Sequence, residues 1–208
     1  MSPVNGPSGN FYDKYNTKNP IERMLMRNFF QRVGQLFKLS GVEDGTPILE
    51  AGCGEGHFTA YIRESFPGSP INAFDISDDI VKVACSSGLD NVDFHTGDIY
   101  HIEANTSSYR LICVSEVLEH IEKPAEALKE LERVSGKYIL VTVPNEPIWR
   151  ILNMVRGAYL KDFGNTPGHI QHWNKRQFIR MIRENTKLRI VRFQKALPWL
   201  QMLLEVTE

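Results

Sequence analysis

The chain has 208 residues, 42% of them hydrophobic and 24% charged, which suits one well-cored domain and is too short for two ordinary ones. No apolar run reaches the roughly 18 residues of a membrane-spanning helix, and the opening "MSPVNGPSGNFYDKYN" lacks a secretory pattern. The net charge of −1 hides an acidic stretch over residues 1–144 and a basic one over 145–208, with none of the dense basic footprint of a general nucleic-acid binder. Cys53, Cys85 and Cys113 form no close-spaced pair, so reduced thiols and a cytoplasmic setting are expected.

In chain order, residues 1–10 are rich in Pro, Gly, Ser and Asn and are predicted to be disordered, within a flexible segment over 1–19. Phe11, Tyr12 and Tyr15 inside it are candidates for a lid or for packing on the first helix. That helix is predicted over Pro20–Leu39, with Ile21, Leu25, Phe29, Val33 and Leu36 on one face and Pro20 in the first turn.

An alternation of strands and helices then begins. Strand-like "PILEAG" precedes "HFTAYIRESF", and "PINAFDIS" precedes "DDIVKVACSSG", with Ser77 as its N-cap. "VDFHTGDI" is a third strand. "RLICVSE" is a fourth, followed by "PAEALKELERVSG" with Pro124 starting that helix and Gly136 ending it. "KYILVTVP" is a fifth. Several of these strands are continuously apolar, which predicts a mostly parallel sheet covered by helices on both faces. "IWRILNMVRGAYL" and "NKRQFIRMIREN" read as helices; "LRIVRFQKA" and "LPWLQMLLEV" are too close together for a helical crossover and should pair antiparallel. The fold class is thus α/β, doubly wound and Rossmann-like, in one domain over 20–208 with an insert at 145–172.

Between the first strand and its helix, Gly52, Gly54 and Gly56 stand at every second position, with Glu50 just ahead. Such a turn is a cofactor cradle in the crevice beyond the strand ends. The G-x-G-x-G spacing departs from the dinucleotide fingerprint, and the Lys-Ser/Thr ending of a phosphate loop is absent. Glu50 would repel a pyrophosphate and suits a ligand carrying ammonium. Asp75 closes the second strand, where a carboxylate can accept both hydroxyls of a ribose. Asp98 closes the third, placed for an exocyclic adenine amine, with Ile76 as an apolar face for the ring. Together these sites describe a nucleoside with a cationic amino-acid tail.

The series "ILEAGCGEG…AFDIS…HTGDI…ICVSEVLEHIEKP…VTVPNEP" resembles the class I S-adenosylmethionine-dependent methyltransferases of the small-molecule type, over roughly residues 45–205. The resemblance implies a seven-stranded sheet with an antiparallel last strand and S-adenosyl-L-methionine as cofactor. It assigns Glu50, Gly52 and Gly54 to the methionine end, Asp75 to the ribose and Asp98 to the adenine. The full set of expected cofactor contacts is Glu50, Gly52, Cys53, Gly54, Gly56, Asp75, Ile76, Asp98, Ile99 and Ser115. The family usually carries Asp where this chain has Glu50.

Acceptor-side residues should come from the segment after the fourth strand and from the insert. In "SEVLEHIEKP", Glu116, Glu119 and His120 would share one face if the segment is helical. One reading has Ser115 and Glu116 lining the cleft while Glu119 and His120 fix the turn before Pro124. The other has Glu116, Glu119 and His120 join His169 or His172 around a divalent metal, as the resemblance to small-RNA 2′-O-methyltransferases implies. The first is preferred, and no metal is assigned. His169, His172 and Glu116 are the catalytic candidates, the histidines as general bases near neutral pH. The apolar stripe Trp149, Leu152, Met154, Val155 and Tyr159, beside Arg150 and Arg156, is expected to be core. The expected partner is a small-molecule acceptor, with nucleic acid and a transmembrane segment not expected. Three alternatives stand beside this reading: a metal-assisted RNA 2′-O-methyltransferase, a dinucleotide-dependent oxidoreductase, disfavoured by the glycine spacing and the antiparallel tail, and a non-catalytic cofactor-binding regulatory subunit.

Overall fold

A computed structural model describes residues 18–155, 160–166 and 168–207. The expectations for Phe11, Tyr12, Tyr15, Arg156 and Tyr159 lie outside the described residues.

Five strands run parallel: β1 (Ile48–Ala51), β2 (Ile71–Asp75), β3 (Val92–Thr96), β4 (Tyr109–Ser115) and β5 (Ser135–Pro144). β6 (Arg189–Ala196) and β7 (Trp199–Glu205) complete a seven-stranded sheet of order β3-β2-β1-β4-β5-β7-β6. β7 is antiparallel to both of its neighbours, as the short link between the two tail strands requires. The strand order reverses direction at β1 and β4, which opens a crevice beyond their carboxyl ends.

The helices are α1 (Pro20–Ser40), α2 (His57–Ser65), α3 (Asp78–Cys85), α4 (Pro124–Val134), α5 (Glu146–Val155) and α6 (Lys175–Asn185). Local signals set their ends. Asn19 accepts from the Ile21 amide ahead of Pro20, and Ser77 caps α3 through the Ile80 amide. Asn174 and Gln177 form a reciprocal capping box on α6. α4 stops at Val134, earlier than expected, and Gly136 belongs to β5 rather than ending the helix. A Cβ on Gly136 would come within 3.0 Å of the Ser107 carbonyl, so glycine there serves a close backbone approach.

Both faces of the sheet are covered, and the period of two shows it. Ile112 and Val114 of β4, with Ile139, Val141 and Val143 of β5, pack on the side of α4 and α6 around Leu128, Leu131, Phe178 and Ile182. Leu111, Cys113 and Leu140 point the other way, toward Phe29, Val33 and Leu36 of α1 and Phe58 and Ile62 of α2. Of the expected α1 face, Phe29, Val33 and Leu36 are buried and Ile21 is exposed. Met26 and Phe37 fill the remaining places in the core. Among the described residues, no helix is long and apolar enough to cross a membrane.

Candidate active site

Gly52, Gly54 and Gly56 all have positive φ, at 79°, 53° and 84°. Their reasons differ. A Cβ on Gly52 would collide with the Val117 side chain, and one on Gly56 would press on Phe94 at 3.3 Å. At Gly54 an added Cβ would meet nothing within 4 Å, so this glycine alone leaves open space over the turn. The amides of Gly52 and Cys53 both donate to the Phe74 carbonyl, at 2.8 and 2.9 Å, pinning the turn to β2.

Asp75, at the end of β2, does a second job there. Its Oδ2 accepts from the Gly54 amide at 3.0 Å and its Oδ1 from the Ser77 amide at 3.1 Å. Glu50, on β1, is 1% exposed, and its Oε2 has no hydrogen-bond partner among the described residues. Burial pushes its carboxyl up to about 8; the Thr59 hydroxyl opposes that shift and the charge of Asp75 adds to it. Cys53 is buried, and burial pushes its thiol up, as do the nearby charges of Glu50 and Asp75. Asp98 is exposed, and its Oδ1 accepts from the Tyr100 amide at 2.9 Å. Ile76 is 70% exposed, whereas Ile99 lies in the core. The Ser115 and Thr142 hydroxyls are 3.0 Å apart at the ends of β4 and β5.

Beyond β4, the expected helical face does not form. Glu116 takes a left-handed φ of 60°, which stops an α-helix from running through it, and only Leu118–His120 make a single 3-10 turn. The Glu116 carboxylate instead accepts from the Trp199 indole at 2.7 Å, with the Thr142 hydroxyl at 3.5 Å. Glu119, His120 and His169 come together, each offering a ligand atom within 4.8 Å of the others. His169 is buried, its Nδ1 2.9 Å from Oε1 of buried Glu146. His172 is exposed and its Nε2 lies 2.8 Å from Asn165 Oδ1. The two histidines of "GHIQHW" thus have separate surroundings.

Sequence reasoning missed Glu146. It follows β5 as Asp75 and Asp98 follow or close β2 and β3, so the rule that finds strand-end acids would have found it. Of the stripe expected to be core in α5, Trp149 is half-buried against the α1 side of the core, whereas Leu152 and Met154 are exposed, as is Ile151, and the polar Glu146 and Asn153 are buried. The physical reason is that Asn153 binds the Gly164 carbonyl at 2.8 Å and Glu146 binds His169, so the polar side faces the protein.

Residues 21–191 match the family described as a methyltransferase domain. The chain belongs to the methyltransferase domain family. Relatives within reach of sequence include a malonyl-[acyl-carrier protein] O-methyltransferase of Halalkalibacterium halodurans, 28% identical over 122 residues, covering 56% of this chain and 45% of the relative. A trans-aconitate 2-methyltransferase of Mycobacterium tuberculosis is 34% identical over 121 residues, covering 57% of this chain and 43% of that protein. The chain spans somewhat under half the length of these curated relatives. The magnesium protoporphyrin IX methyltransferase of Synechocystis PCC 6803, solved with bound SAH, superposes with a TM-score of 0.67 at 16% identity, covering 92% of this chain and 89% of that one. A SAM-dependent methyltransferase from Aquifex aeolicus gives 0.66 at 16%, with 83% and 88% covered. At these identities the two structures speak for the methyltransferase fold, the seven-stranded mixed sheet described above.

Proposed function

We propose that the protein binds S-adenosyl-L-methionine across the Gly52–Gly56 turn and transfers its methyl group to a small-molecule acceptor bearing a carboxylate. The observation that carries this reading is the placement of Glu50 and Asp75 on either side of the open Gly54, at the crevice where the strand order reverses. A buried carboxyl with an unpartnered oxygen beside a bare turn favours a cationic group, here the ammonium of the methionine end. Asp75 keeps lone pairs beyond its two amide bonds for the ribose hydroxyls. Exposed Asp98 is assigned to the adenine amine and exposed Ile76 to the ring face, with Cys53, Ile99 and Ser115 forming the wall around them.

Bound cofactor supplies a methyl group already activated on a sulfonium. The protein then has to hold an acceptor atom in line with it and, where that atom is a hydroxyl, take up a proton. His169, His172 and Glu116 are assigned to the acceptor side. Of the three, His169 has a buried carboxylate to fix its ring. Support for a carboxylate acceptor comes from the names of the relatives, malonyl and trans-aconitate, and from the basic character of residues 145–208.

Isothermal titration with S-adenosyl-L-methionine, and separately with NAD, tests the cofactor assignment. Saturable binding of the first, weakened at least about tenfold in Asp75→Ala, is the expected result. Binding of NAD with no response to S-adenosyl-L-methionine would overturn it.

A further inference from the structure

We propose that the outer face of α5 and the turn at residues 160–164 dock on the surface of an anionic lipid bilayer. Among the described residues, twelve large apolar side chains are exposed, and six of them, Ile151, Leu152, Met154, Leu160, Phe163 and Ile170, fall within residues 151–170. Single exposed apolar residues are ordinary on a protein surface, whereas a concentration of this kind marks a contact.

At about 100° per residue, Ile151, Leu152 and Met154 share an arc of about 160° on α5, and the buried Glu146 and Asn153 lie on the opposite side. The turn is fastened to that helix. Arg150 Nε donates to the Phe163 carbonyl at 3.0 Å, the Asn153 side chain to the Gly164 carbonyl at 2.8 Å, and the Trp149 indole to the Thr166 hydroxyl at 2.8 Å. A Cβ on Gly164 would collide with the Arg150 carbonyl and come within 3.0 Å of Met154 Cγ, so the turn lies directly against the apolar arc.

Phe163 is held on this turn at a left-handed φ of 50° and is 72% exposed. A bulky residue at such a φ costs about 1–3 kcal/mol. Neither backbone nor burial favours phenylalanine at that position, and a contact outside the chain accounts for it.

Charge and shape select the bilayer as the occupant. Residues 145–208 hold 11 Lys and Arg against 5 Asp and Glu, whereas residues 1–144 hold 13 against 20. An anionic surface attracts the part of the chain that carries the apolar face and repels the rest, which orients the molecule. Arg150 and exposed Lys161 stand within the apolar stretch, and Asp162 is the one acid exposed beside them. Phe163 projects from its turn, and acyl chains pack around a projecting ring without needing a preformed pocket. With 10 residues α5 is too short to cross a bilayer, so it lies in the headgroup region.

The test mixes the full chain, without nucleoside, with phosphatidylcholine vesicles containing phosphatidylserine and with vesicles of phosphatidylcholine alone, and reads binding by sedimentation. The anionic vesicles should bind the chain, more weakly as salt rises, and the neutral ones at least about tenfold less. Phe163→Asn should lower affinity for anionic vesicles at least about tenfold and unfold no earlier than the parent, because asparagine tolerates a left-handed backbone better. Ile151→Gln, on α5 and outside the turn, should lower it about fivefold or more, and Lys161→Gln about fivefold on the anionic vesicles alone. No binding to anionic vesicles, equal binding to both kinds, or parental binding by Phe163→Asn would overturn the proposal. So would self-association that Phe163→Asn removes while vesicles leave the chain in solution, since the occupant would then be a second copy. Because no nucleoside is present, failure here leaves the cofactor assignment to its own titration.

Discussion

Asp75 holds Gly54: a carboxylate at the end of one strand accepts the amide of the middle glycine 21 positions earlier, at 3.0 Å. The same side chain takes the Ser77 amide at 3.1 Å, so it ties the glycine turn to the start of α3. Bonds to a charged acceptor contribute about 1.5–3 kcal/mol each when buried, and less at a half-buried site. Asp75→Ala should cost about 2 kcal/mol in urea unfolding and weaken S-adenosyl-L-methionine binding at least about tenfold. Asp75→Asn, which keeps one acceptor oxygen, should recover part of the stability and little of the affinity. Equal recovery of both would show that Asp75 serves the turn alone.

Gly52 and Gly54 should separate stability from binding. Gly52→Ala forces a Cβ into Val117 at a φ of 79° and should destabilise by about 2–5 kcal/mol. Val117→Ala in the same chain should return the packing part of that loss, seen as a coupling between the two substitutions. Gly54→Ala meets open space and should cost only about 1–2 kcal/mol, from its left-handed backbone. Its larger effect should be on cofactor affinity. Indistinguishable unfolding midpoints for the two glycine variants would contradict the assignment.

Glu50 gives the protein a pH dependence of known sign. Its carboxyl is held up to about 8 in the folded chain, against 4.5 ordinarily, so between those values the native state binds a proton that the unfolded chain has released. Stability should therefore fall as pH rises from about 4.5 to about 8, by a few kcal/mol at most, and Glu50→Gln should flatten the slope. A cationic ligand draws the carboxylate form, so binding should release a proton below about pH 8. Titration heats in buffers of different ionisation enthalpy would report that release, and its absence in the parent chain would count against a Glu50–ammonium contact.

Asn174→Ala removes half of the capping box on α6, in which Oδ1 takes the Gln177 amide at 3.0 Å and the Gln177 side chain takes the Asn174 amide at 2.9 Å. The expected loss is about 1 kcal/mol in chemical denaturation, with cofactor affinity unchanged. A larger fall in affinity than in stability would link this cap to the site.

The sheet was legible because its signals are local. Apolar runs ending in Asp75 and Ser115, Ser77 before a helix, and two tail strands too close for a crossover each fix an element from neighbouring residues. The turn was legible for the same reason, although Val117 rather than a ligand explains Gly52. What escaped depended on contacts distant in sequence. The left-handed Glu116 answers to Trp199, 83 positions later, and Glu146 finds His169 across 23. α5 has a helical period whose inner face cannot be inferred without knowing that Asn153 meets Gly164. Periodicity gives the stripe, and only the tertiary partner says which side faces in.

Trp199 touches three parts of the molecule at once. Its indole N–H reaches Glu116, and its ring centroid lies 5.0 Å from that of Phe29 and 5.6 Å from that of Trp149. Two indoles that close couple their electronic transitions, so the chain carries an exciton pair beside its own crevice. Near-ultraviolet circular dichroism and native fluorescence can therefore follow events at the ends of β4, β5 and β7 without any label attached.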